Sequence, residues 1–154
     1  MNIPQKNREL NSKIEKFFNI VSSGQNFAYD VETTGLKWQE NVVIGHSVSD
    51  GKDKMYIPVR HTGGGNIEYI DQFEKLLAKK IEEHPKKIIL HHGKFDSHFA
   101  ENHGIKIGNK IKDTMTRAAL INENKFSYAL DACCREYPDI PQKKGQELYE
   151  HIAQ

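Results

Sequence analysis

The chain has 154 residues, enough for one domain with a single buried core. Its 22 Lys and Arg stand against 21 Asp and Glu, so there is no global basic field to hold nucleic acid non-specifically, and any such contact has to be local. The amino terminus, MNIPQKNREL, lacks the apolar core of a signal peptide, and no stretch approaches the roughly 20 apolar residues of a membrane span, so no membrane partner is expected.

Leu10, Ile14, Phe17, Phe18 and Val21 recur at helical spacing, predicting an amphipathic helix over 5–22 that Gly24 ends. FAYDVET then reads as a half-buried strand. VVIGHSVSD and KMYIPV, joined by a DG turn, complete an antiparallel meander with it. RHTGGGN is a loop; its Gly63–Gly65 run lacks the Gly-Lys-Ser/Thr of a phosphate-binding loop and reads as flexible. Ile70, Phe73, Leu76, Leu77 and Ile81 form one apolar stripe on the next helix. KKIILHH is short and continuously apolar, which predicts a buried strand reached by a crossover and running parallel to its neighbour. A helix begins near Lys94, and from Asp113 onward DTMTRAALIN, SYALDACCREY and QKKGQELYEHIAQ read mainly as helix. Cys133 and Cys134 are neighbours whose Cα atoms lie about 3.8 Å apart, too close for an ordinary disulfide, and fit a reducing cytoplasm.

Two acidic addresses stand out. Residues i and i+2 of a strand project from one face, so Asp30 and Glu32 lie side by side, with Phe27, Tyr29 and Val31 facing the other way. Such a pair is either a strand end running into solvent or the start of a divalent-metal site. Asp96 falls in the first turn after the buried strand, the end at which open α/β sheets place ligands; it reads equally as an acid favoured by a helix start. If the first and fourth strands are adjacent, the three carboxylates meet at one sheet edge as the all-oxygen donor set that hard divalent ions prefer. His91, His92, His98 and His103 lack the paired spacing of zinc sites, and Lys79, Lys80, Lys86 and Lys87 read as a solvated face.

At these residues the chain resembles the DnaQ-like (DEDD) 3′-5′ exonucleases. DVETTGL resembles their first motif and HHGKFDSHFA their second, with His92 where the family commonly has asparagine. YIPVRHTGGGN, DTMTRAALIN and YALDACCREYPDIPQKKGQELYEHIA resemble the proofreading domain of phage-type, polymerase I-like (family A) DNA polymerases. The family's third motif, a Tyr or His followed by a last metal-binding Asp, is not found: Tyr149 is followed four places later by Ala153.

The resemblance implies an α/β, ribonuclease H-like fold with a mixed sheet, an antiparallel meander plus parallel strand, and flanking helices. It implies one domain over 1–154: an N-terminal helix within 1–24, and a core over 26–154 lacking the last catalytic helix. It implies release of nucleoside 5′-monophosphates from a single-stranded 3′ end of DNA, with Mg²⁺ or Mn²⁺ as cofactor, two ions in the family and as few as one here. Asp30 would bridge the ions, Glu32 would hold the water-activating one and Asp96 the other. Thr33 and Leu36 would contact the terminal nucleotide, Leu36 packing against its base, and Gly35, His92 and Phe95 would join them on the substrate side; plain core packing is the alternative for Leu36 and Phe95, and Phe95 reads equally as core. The expected partner is the polymerase portion of the same or another chain, in a bacterial host's cytoplasm or encoded by a phage. The alternative is a catalytically impaired module of the same fold that binds nucleic acid or supports a polymerase.

Overall fold

The computed structural model describes residues 5–136, in two compact units that part between Asp113 and Thr114. The last expected helix, QKKGQELYEHIAQ, lies outside the described residues, as do Tyr149 and Ala153.

In the first unit, helix α1 (Gln5–Val21) leads into strands β1 (Phe27–Thr33), β2 (Val43–Ser49) and β3 (Lys54–Pro58). Helix α2 (Ile70–Glu83) crosses to β4 (Ile88–Leu90), and α3 (Gly93–Glu101) crosses to β5 (Ile111–Asp113). The strands form one sheet in the order β3-β2-β1-β4-β5, the first three antiparallel and the last two parallel to β1. This is the mixed ribonuclease H-like sheet expected, with β4 inside it. β5 is an addition: KIKD offers one apolar residue in a charged run, and no period marks it as a strand.

The core lies on the Phe27, Tyr29 and Val31 face of β1. Phe17 and Phe18 of α1 pack on Phe73 of α2, at ring separations of 5.2 Å each, and Phe73 tilts onto His46 of β2 at 5.7 Å. Along α2, Ile70, Phe73, Leu77 and Ile81 turn inward, whereas Leu76 is 41% exposed and Glu74 takes a buried position. Lys110 Nζ donates to the carbonyls of Ile81 (2.8 Å) and Glu82 at the end of α2, where carbonyls lack helical partners and a cation is favoured.

The second unit holds α4 (Thr114–Ile121) and α5 (Leu130–Arg135), the two helices expected after Asp113. Among the described residues no helix is long and apolar enough to cross a membrane.

Candidate active site

β1 has seven residues and β4 three, and their pairing covers only Phe27 and Ala28. Beyond Leu90 the sheet edge is open, and the amide of Val31 donates instead to Asp96 Oδ1, at 3.2 Å. Asp96 is thereby fixed to the strand that carries Asp30 and Glu32, although 65 residues separate the bonded pair. Asp96 is 3% exposed, while Asp30 and Glu32 are exposed on the opposite face of β1 from the core. Burial and then the Asp30 charge push the Asp96 carboxyl up to about 7; the Val31 amide opposes them, and the Asp113 charge adds to the rise.

Asp113 was not singled out by its sequence. It ends β5 beside Leu90, and its carboxylate accepts from the amides of Gly93 (2.8 Å) and His92 (3.3 Å) at the start of α3. It thus satisfies amides that a helix start leaves without partners, from a different strand. His92 sits in the left-handed region (φ 64°), and a Cβ on Gly93 would stand 2.9 Å from Ile111 Cγ2. The turn is tight because α3 starts directly against β5. DTM in the sequence marks a helix start; only the β4–β5 pairing reveals which helix start Asp113 serves.

The expected substrate-side residues lie on two elements. Thr33 Oγ1 donates to the Gly35 carbonyl (2.8 Å), and Asn41 Oδ1 packs so close over Gly35 that a Cβ there would meet it at 2.6 Å. Asn41 also ties Thr34 (3.1 Å) and the Lys37 carbonyl (3.0 Å), so the loop after β1 is braced from within. On it Leu36 is 83% exposed, an apolar side chain held out in water, and Trp38 stacks on His98 of α3 at 5.0 Å. His92 is exposed with its ring stacked on half-buried Phe95 (6.1 Å), which packs on Phe99 (4.8 Å).

The structure therefore places Asp96 within the field of Asp30 and Asp113, whereas the Glu32 charge is felt at Tyr56 of β3. Among the described residues no three His, Cys, Asp or Glu side chains are drawn close enough to hold a metal ion. The donor chemistry at Asp30 and Asp96 is nevertheless that of a hard divalent cation: carboxylate oxygens, one of them buried, with like charges opposing each other.

The sequence profile of the family described as 3′-5′ exonuclease matches residues 5–151. The chain is 30% identical over 149 residues to DNA polymerase DpoZ of Vibrio phage phiVC8, across 86% of this chain and 22% of that protein. It is 25% identical over 154 residues to DNA polymerase I of Synechocystis sp., across 91% of this chain and 15% of that one. It thus spans between 15% and 22% of the length of these curated relatives. Its fold matches NrnC of Brucella melitensis with a TM-score of 0.63 at 19% identity, over 82% of this chain and 58% of NrnC. Structures of that protein with bound Mg²⁺ (TM-score 0.58) and bound to pGG (TM-score 0.59) match as well. With the profile covering nearly its whole length, the chain belongs to the 3′-5′ exonuclease family of family A DNA polymerases.

Proposed function

We propose that the chain is a metal-dependent exonuclease that removes nucleotides from single-stranded 3′ ends of DNA as nucleoside 5′-monophosphates, with Mg²⁺ or Mn²⁺ drawing Asp30, Glu32 and Asp96 together as its ligands on binding. The observation that carries the reading is Asp96, a buried carboxyl bonded to the backbone of β1 and raised by burial and by Asp30. Leaving two acids this close is unfavourable for the free protein, and a divalent cation between them reverses the sign of the interaction. A bound ion of this kind lowers the pKa of a water and stabilises charge on a leaving 3′ oxygen.

The chain's own residues do the rest. The Val31 amide and the Asp113-capped turn hold Asp96 still, so that its carboxylate is pre-aimed. Leu36 offers an exposed apolar surface for the terminal base, Phe95 and His92 offer stacked rings on α3, and the Thr33–Gly35 turn fixes the loop's departure from β1. A polymerase portion, in the same or another chain, is the partner that would make this activity proofreading. The relatives support that: they are DNA polymerases of which this chain matches one segment. The adjacent Cys133 and Cys134 fit a reducing cytoplasm.

The test follows a 5′-labelled single-stranded DNA oligonucleotide in millimolar Mn²⁺, with RNA and duplex DNA in parallel and Asp30→Ala as background. The expected result is stepwise shortening of the DNA strand with mononucleotide release, absent in the variant. Mn²⁺ is also expected to raise the thermal midpoint of the unsubstituted chain, because a ligand bound only to the folded state stabilises it, and Asp30→Ala is expected to remove that rise. No release above background overturns the enzyme reading, and no thermal shift overturns the metal site.

A further inference from the structure

The acid-bearing face of the sheet holds more than acids. Opposed residues on antiparallel strands project to the same face, so the register lays two rows across it: Asp30, Ser47 and Tyr56, then Glu32, Gly45 and Pro58. Gly45 has no side chain, and Tyr56 leans into the gap. A Cβ built on Gly45 would stand 1.9 Å from the Tyr56 hydroxyl oxygen. The phenol oxygen therefore lies over the residue directly opposite Glu32. Burial and the Glu32 charge both favour its protonated form, an electrical sign of the same closeness.

The hydroxyl is held from its far side by His61, whose Nε2 is 2.5 Å away, with the two rings edge-on at 83°. His61 is itself clamped. Its amide donates to Asn66 Oδ1 (2.7 Å) and its carbonyl accepts from Asn66 Nδ2 (2.9 Å). Gly64 and Gly65, at φ 85° and 79°, turn the chain back to make that clamp possible, in a region that L side chains rarely adopt. The RHTGGGN loop thus delivers an imidazole onto a phenol beside the acid site. Ordering both side chains at a half-exposed position costs conformational entropy, and packing alone gives little in return for Tyr56, which stays 36% exposed.

We propose that Tyr56 is a catalytic residue that orients the attacking water against Glu32, and that His61 is its positioning residue; this rests on the exonuclease reading above and deepens it. With its proton donated to His61 Nε2, the phenol oxygen is an acceptor. A water donating one O–H to Glu32 and the other to Tyr56 has its lone pair directed away from both, toward phosphorus. The water oxygen bonds to phosphorus, and the bond from phosphorus to the 3′ oxygen breaks with its electron pair going to that oxygen. One water proton passes to Glu32 and on to solvent, and the leaving oxygen takes a proton from solvent water.

The test compares kcat and KM for single-stranded DNA in Mn²⁺ among the unsubstituted 154-residue chain, Tyr56→Phe, His61→Leu and His61→Gln, with Asp30→Asn as background. Phenylalanine keeps the ring over Gly45 and removes only the hydroxyl. The expected result is a kcat lowered roughly tenfold to a hundredfold in Tyr56→Phe, the usual scale for a misplaced reactant, with KM and thermal midpoint nearly unchanged. His61→Leu is expected to lose several-fold in kcat, and His61→Gln, which restores an acceptor, to recover part of it. An unchanged kcat in Tyr56→Phe, or a loss appearing in KM alone, overturns the proposal while leaving the exonuclease reading intact. An unsubstituted chain no faster than Asp30→Asn overturns both.

Discussion

Glu74 occupies a helix position that the 3.6-residue period gives to an apolar side chain, and what surrounds it explains why an acid is stable there. Arg60 grips it with two bonds of 2.7 Å, His46 Nε2 stands at 3.1 Å and His103 Nδ1 at 3.4 Å, and Tyr29 hydroxyl reaches the other nitrogen of His46 at 2.8 Å. Burial alone would raise the Glu74 carboxyl, but the bonds from Arg60, His103 and His46 hold it well below the usual carboxylate range. Burial lowers the His46 imidazole, which stays neutral between Tyr29 and Glu74. Both shifts have one sign in linkage: the unfolded chain binds more protons than the folded one, so stability is present above pH 6.5 and falls as pH drops through the His46 and then the Glu74 range. Asp96, raised to about 7, has the opposite sign over that window, so the decline in thermal midpoint between pH 7.5 and pH 4 is expected in Asp96→Asn, where the opposing contribution is gone. Glu74→Gln is expected to lose roughly 2–4 kcal/mol at pH 7, because it strips the charge that Arg60 and the imidazoles face, and to flatten the acid decline; chemical denaturation at pH 7 and pH 4.5 measures both. Asp30, Glu32 and Asp96 were legible as candidates because strand alternation and a helix start are local patterns. The Glu74 cluster was not, since Arg60, His46, His103 and Tyr29 come from separate segments and meet only after folding.

Elements set the distances that residues then use. α3 begins at Gly93 against Ile111 and Leu90, with Cβ clearances of 2.9 and 3.1 Å to their side chains. Alanine there would gain a few tenths of a kcal/mol in the unfolded chain's entropy, but the neighbours are branched or rooted at Cβ and give way poorly. The clash wins: Gly93→Ala is expected to cost roughly 1–3 kcal/mol and to weaken the Mn²⁺-induced thermal shift, since α3 carries Asp96. Differential scanning with and without Mn²⁺ reads both effects. The α1 and α2 stripes, the meander and the parallel β4 could all be read from period and apolar runs. β5 could not, because three residues with a lysine and an aspartate carry no periodic signal, and with β5 hidden the role of Asp113 was hidden too. The Tyr56–His61 pair was out of reach for a related reason: which strand residues share a face with Glu32 depends on register, and a slip of one residue would reverse it.

At the scale of the whole molecule, the buried hydrophobic residues among those described run from Phe17 to Ile107, all within the first unit. That unit also contains Asp30, Glu32, Asp96, Asp113, Tyr56 and His61. A chain ending at Asp113 is therefore expected to unfold cooperatively by circular dichroism and to keep the Mn²⁺-induced rise in thermal midpoint; loss of either would show that residues beyond 113 are needed to build the sheet or the ion site. The short β4 bears on how such a chain can change its length. Only His91 and His92 separate the end of β4 from the start of α3. One residue inserted or deleted there would swing Asp96 by about 100° around the helix axis, away from the Val31 amide, whereas an insertion between Asp50 and Lys54 would lengthen an exposed turn. Substitutions at the junction can be absorbed one by one, but a change in residue count cannot: a chain that gained or lost a single residue between Leu90 and Gly93 is expected to keep its sheet and lose the Asp96–Val31 bond.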